Sequence, residues 1–122
     1  MKTFKKVKRS FKDAFRGLKA ATIETNFRMM ILIGLIASFL ALYFPLSTVE
    51  RAIIVFLIGV VLAIELLNSQ VERILDLIVP VYDRKAGEIK DISAAAVMVV
   101  ALTAALIGAI ILLPHIIKTL PI

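Results

Sequence analysis

The chain has 122 residues, 61% of them hydrophobic and 20% charged, with no cysteine or tryptophan and a formal net charge of +6. Its mean hydropathy of +0.98 is far above that of a soluble domain of this size, because a small globule is mostly surface and keeps its apolar share near ~45–50%. A soluble monomer, a disulfide scaffold, a Cys-based metal site, thiol catalysis and intrinsic disorder are all excluded, which leaves a small integral membrane protein.

The basic residues are unevenly placed. Nine of the fifteen Lys and Arg lie in residues 1–28, opposed there only by Asp13 and Glu24. Phe4, Val7, Phe11, Phe15 and Leu18 recur at helical spacing with a basic face opposite, which predicts an amphipathic helix over residues 1–22 lying in the membrane interface. A nucleic-acid partner would suit the basic face but explains nothing in the rest of the chain, and none is expected.

Residues 29–49 carry no charge and are long enough to span a ~30 Å hydrocarbon core as a helix, with Pro45 ending or bending it. The charged lead is too long, and no small-x-small site closes the run, for this to read as a cleaved signal peptide. Glu50 and Arg51 then make a short polar turn. Residues 52–79 form a second helical stretch that stops at Pro80; at ~1.5 Å per residue it exceeds the hydrocarbon, so its second half should emerge. Residues 81–91 are a polar linker, residues 92–113 a third span, and the segment from Pro114 a short tail. The first turn and the tail are poor in Lys and Arg, so the positive-inside rule places the N-terminus and the linker in the cytoplasm. The expectation is an all-α, multi-pass protein of the bacterial cytoplasmic (inner) membrane, a single domain of one surface helix and three spans.

The second span carries the polar side chains. With Glu65 set at 0° and ~100° per residue, Asn68, Ser69, Glu72 and Asp76 all fall within about 60° of it. An ionisable group inside a span costs roughly 2.5–3.5 kcal/mol on insertion scales and marks a functional face by default. Glu72 and Asp76 could instead solvate the wet end, and Asn68 could join helices. Carboxylates with no cysteine and a lone histidine, His115, suit a hard cation, Mg²⁺ above all. Glu24 belongs to the same membrane depth as Glu72. Lys90 offers a cation for phosphate, or snorkels; Asp91 joins it, or caps the third span. No P-loop, Gly-x-Gly-x-x-Gly or His-Glu-x-x-His pattern is present. On these residues alone an ion channel or transporter, or a structural subunit, remains open beside an enzyme.

The element Glu65-Leu66-Leu67-Asn68-Ser69-Gln70-Val71-Glu72-Arg73-Ile74-Leu75-Asp76 resembles the second helix of the prokaryotic diacylglycerol kinase family. Lys90-Asp91 before the small-residue stretch Ser93-Ala94-Ala95-Ala96-Val97 resembles another of its elements, and Glu24-Thr25-Asn26-Phe27-Arg28 a third. The resemblance implies a homotrimer with sites shared between protomers, moving the γ-phosphate of MgATP to a lipid hydroxyl. It implies Glu65 as general base, Asn68 as a positioning group, and Glu24 and Glu72 as Mg²⁺ ligands. Tyr82, Asp83, Lys90 and Asp91 would contact nucleotide with them, and Arg28 and Ala94 would face the lipid beside Glu65. The lipid would be diacylglycerol, or undecaprenol as in one branch. Val81, Asp83, Asp13 and Met30 depart from the residues usual in the family.

Overall fold

The computed structural model describes residues 1–121, and among them the chain is helical throughout: α1 (Lys2–Ala21), α2 (Thr25–Tyr43), α3 (Thr48–Ile78) and α4 (Arg84–Thr119). The last three are long and apolar enough to cross a membrane. α3 packs against both α2 and α4, which barely touch each other. Most large apolar side chains of the three spans remain on the outside, Leu32, Phe39, Phe56, Leu102 and Ile110 among them. In water such a surface would collapse or aggregate; hydrocarbon solvates it, provided the backbone bonds itself as helix. The expected architecture of one amphipathic helix and three spans is therefore present.

α1 carries its apolar stripe of Phe4, Val7, Phe11, Phe15 and Leu18 uncovered. It ends at Ala21, where the Thr22 hydroxyl donates to the Lys19 carbonyl at 2.6 Å and the Glu24 amide donates to Ala21 at 3.0 Å. Glu24 is the N-cap of α2, in extended backbone, yet its carboxylate makes no capping bond. That side chain is used elsewhere.

The turn between the first two spans lies earlier than hydropathy places it. α2 stops at Tyr43, and Phe44, held extended ahead of Pro45, is its C-cap. Ser47 then opens α3 with a capping box: the Glu50 amide donates to Ser47 Oγ, and the Ser47 amide donates to Glu50 Oε1, both at 3.1 Å. Glu50 and Arg51 are thus in the first turn of α3 and form no turn of their own. Arg51 donates from Nε to the Ala41 carbonyl at 3.0 Å and from Nη2 to the Phe44 carbonyl at 3.2 Å, which satisfies orphan acceptors at the end of α2.

The second connection is also shorter than expected. Asp83 is the N-cap of α4 and accepts from the Ala86 amide at 3.0 Å. Lys90 and Asp91 are therefore inside a helix, and Asp91 caps nothing. At the other end α4 runs through Pro114 to Thr119, where a tail was expected. A proline costs one backbone bond; here packing holds the helix across it, with Ile111 and Ile116 in the apolar cluster and the His115 ring 6.1 Å from Phe44.

That cluster gathers Ala41, Phe44, Leu46, Ile54 and Ile111, at the end of the bundle where α2 finishes and α3 begins. Toward the middle of the bundle α2 and α3 approach closely: a Cβ added at Gly34 would lie 3.1 Å from Ile58 Cγ2. Gly34 also lines an apolar cleft of about 380 Å³ between the spans, with Ala37, Ala101, Ala104 and Gly108. Gly34→Ala is expected to be tolerated, since only the end of an isoleucine must move, whereas Gly34→Leu should cost about 1–3 kcal/mol through overpacking. Thermal unfolding of both variants in detergent tests this, and equal transitions would mean that the approach is not tight.

Candidate functional site

The buried polar residues of the described chain are Glu65, Asn68 and Ser69, exposed by 2%, 7% and 5%. All three lie on one face of α3, as the spacing predicts. Glu72, one turn on, is half-buried and continues that face. Helical periodicity alone makes the face; the partner that covers it comes from 45 residues earlier.

That partner is Glu24. Its carboxylate leaves the head of α2 and crosses to α3, where Oε1 accepts from Ser69 Oγ at 2.5 Å. The same oxygen accepts from Arg73 Nε at 3.2 Å and Arg73 Nη2 at 3.1 Å. Arg73 Nη2 also donates to the Ala20 carbonyl at 3.2 Å, so one guanidinium ties together the end of α1, the start of α2 and the C-terminal part of α3. Glu65 lies within Coulombic reach of both Glu24 and Glu72. The short turn at residues 22–24 is what places Glu24 there.

Glu65 and Glu72 on α3 and Glu24 at the head of α2 thus lie near one another, with Arg73 beside Glu24. Their donor atoms are all oxygen, the set that Mg²⁺ takes, and every hydrogen bond to the Glu24 carboxylate is made to Oε1 among the described residues. Its second oxygen is free for a cation. The described residues include no group of three or more His, Cys, Asp or Glu placed to hold a metal ion. Asn68 Oδ1 is buried with no hydrogen-bond partner among the described residues. Such an acceptor costs stability and points to an absent donor.

The other expected site residues are not gathered at this cluster. Lys90 Nζ donates to Asp76 Oδ1 at 2.6 Å, an α4–α3 ion pair one turn beyond Glu72. Asp91 is exposed on α4, as is Ala94. Tyr82 is 90% exposed, and Asp83 is engaged as the helix cap. Arg28 is exposed on α2 and donates to Thr25 Oγ1 at 3.3 Å. Arg73 received no role from the sequence. Its signal was present, because a wheel step of about 100° places it beside Ser69, four residues earlier on the same edge.

Residues 12–112 match the family model described as prokaryotic diacylglycerol kinase. The chain is 30% identical over 103 residues to a diacylglycerol kinase of Escherichia coli, covering 84% of each protein. It is 36% identical over 107 residues to an undecaprenol kinase of Bacillus subtilis, covering 87% of each. A diacylglycerol kinase of Synechocystis is 32% identical over 107 residues, 86% of this chain and 61% of that protein.

Asn68 separates function from stability. Asn68→Leu removes a buried unpaired acceptor while keeping the volume, so thermal stability in detergent should hold or rise by up to about 1 kcal/mol. A loss well beyond that amount would show the amide to be a structural bond between helices.

Proposed function

The chain belongs to the prokaryotic diacylglycerol kinase family, and from that membership we propose that this lipid kinase uses MgATP to phosphorylate diacylglycerol, giving phosphatidic acid at the inner leaflet. The observation that carries the reading is Glu65: a carboxylate 2% exposed in a spanning helix, with Glu24 and Glu72 nearby. A buried carboxylate beside like charges makes a proton acceptor within reach of a membrane-dissolved alcohol.

Phosphoryl transfer asks for alignment and charge neutralisation more than covalent help. In the proposed reaction the lipid hydroxyl oxygen attacks the γ-phosphorus as its proton passes to Glu65. A new P–O bond forms to the lipid, the bond to the β–γ bridging oxygen breaks, and ADP leaves. Asn68, on the same buried face as Glu65, positions the reacting groups. Glu24 and Glu72 hold Mg²⁺, which when bound offsets charge on the phosphates. Lys90 and Asp91, on the cytoplasmic stretch of α4, take the nucleotide with Tyr82 and Asp83. Arg28 and Ala94 flank the lipid. These four exposed positions, Asp91, Tyr82, Arg28 and Ala94, suit a site finished by a neighbouring copy of the chain, hence the proposed homotrimer. Undecaprenol is a second reading for the lipid, favoured by the 36% identity to the Bacillus subtilis undecaprenol kinase.

Purified protein given labelled ATP, Mg²⁺ and either lipid in mixed micelles should label one of them. Label in neither lipid would reject the reading, and label in undecaprenol alone would replace diacylglycerol as acceptor. Glu65→Gln should lower the transfer rate by about 10²–10⁴-fold, the range for a lost general base, with nucleotide binding retained. Full turnover by that variant would reject Glu65 as base. Glu72→Gln should raise the Mg²⁺ concentration needed for half-maximal rate; an unchanged requirement would remove Glu72 from the metal site.

Topology is tested separately, because the chain has no native cysteine. Single cysteines at Lys2 and Lys85 should resist a membrane-impermeant maleimide in intact spheroplasts, and those at Thr48 and Thr119 should react. The reverse pattern would invert the proposed cytoplasmic N-terminus.

A further inference from the structure

We propose that Arg73 binds a phosphate oxygen of the nucleotide while it holds Glu24, an inference that rests on the kinase reading above. Arg73 lies two turns past Glu65 on α3, and long side chains on a helix run back toward its N-terminus. Its guanidinium therefore reaches the level of Ser69, where both groups meet Glu24.

The way the two groups meet is informative. An arginine and a carboxylate commonly pair through two parallel bonds, each to its own oxygen. Here Nε and Nη2 both donate to Glu24 Oε1, and Nη2 also donates to the Ala20 carbonyl. Among the described residues, Nη1 and Glu24 Oε2 are left without partners. The side chain of Arg73 is 50% exposed and that of Glu24 27% exposed, so the pair faces open space. It leaves a carboxylate oxygen on one partner and two N–H groups on the other without a hydrogen bond among the described residues. One suits a divalent cation and the other an oxygen of a phosphate bound to that cation.

Charge supports the assignment. Glu24, Glu65 and Glu72 would repel a polyphosphate as it approached. Of the other cations near this end, Lys90 pairs with Asp76 and Arg28 donates to Thr25 Oγ1, and among the described residues neither bonds to Glu24, Glu65 or Glu72. Arg73 is the cation that touches the carboxylate cluster and still has donors to give.

The test measures binding without turnover, on the full chain in detergent, with Mg²⁺ plus a non-hydrolysable ATP analogue as one probe and Mn²⁺ alone as the other. Arg73→Ala should weaken analogue binding about tenfold or more, the worth of a charge-assisted hydrogen bond. It should also tighten Mn²⁺ binding severalfold, because Glu24 loses its counter-charge. Opposite signs are the mark of a phosphate contact, whereas weakening of both probes would make Arg73 only a tie between helices and overturn the proposal. Arg73→Gln can still bond to Glu24 and Ala20, and serves if the alanine variant does not fold. It should keep the wild-type thermal transition and lose analogue affinity; retained affinity would overturn the proposal. Wild-type protein that binds no analogue would sink the kinase reading itself, a result distinct from wild-type binding that Arg73 variants leave unchanged.

Discussion

Carboxylates placed in a membrane helix must be kept from lipid, and the polar end of this molecule is organised by that requirement. Glu65 follows thirteen uncharged residues of α3, where an ionised group left to hydrocarbon would cost several kcal/mol. The chain packs α3 against both neighbouring spans, so that Glu65, Asn68 and Ser69 lie buried on one face, with Glu24 at the head of α2 bonded to Ser69. The cover is itself acidic. Glu24 brings a second charge close to the first, and Arg73 with the Ser69 hydroxyl supplies the counter-interactions. A cluster of three carboxylates and one guanidinium is still short of positive charge, and that deficit is the chemical basis of the proposed metal and nucleotide site.

The two ends of the bundle divide the work. Apolar packing concentrates around Phe44, Leu46, Ile54 and Ile111, where the capping box at Ser47 and the Arg51 bonds to the end of α2 fix the hairpin. The opposite end, where α2 begins and α3 emerges, holds polar groups in place of that cluster. Between them the spans leave a cleft where Gly34, Ala37, Ala101, Ala104 and Gly108 sit among larger apolar side chains such as Ile33, Leu57 and Val61. Small residues let membrane helices approach, since lipid offers no hydrophobic drive to associate them. An end fixed by packing thus supports an end whose polar atoms are free to take ligands.

The spans and the polar face were legible because each follows from one helix: length and hydropathy give the first, and a period of 3.6 gives the second. The connections were not. Hydropathy reports the solvent around a helix and is blind to where its hydrogen bonds stop. Charged Glu50 and Arg51 looked like a turn, although Ser47 and Glu50 bond as a capping box and Arg51 finds carbonyls of α2. The polar stretch at residues 84–91 looked like a loop, although it is α4 before it enters the apolar layer. Pro45 and Pro114 show the same limit: one lies at the end of a helix, while the other lies inside α4, and the packing of His115 on Phe44 that accompanies it is invisible in a linear string. The Glu24–Ser69 bond spans 45 residues, and no wheel drawn for a single helix can contain it.

Arg73 shows why a positive charge alone is insufficient at this position. A lysine could neutralise Glu24, but its ammonium is a compact point charge with no planar edges. The guanidinium donates from Nε and Nη2 to Glu24 and from Nη2 to Ala20, and Nη1 has no partner among the described residues. That division places the end of α1 in the same bonded unit as the carboxylate cluster. α1 itself carries eight basic side chains against Asp13 and an uncovered apolar stripe, the composition of a helix seated on an anionic bilayer surface. A helix so seated would carry Ala20 with it, and the Arg73 bonds to Ala20 and Glu24 would tie the carboxylate to the same level.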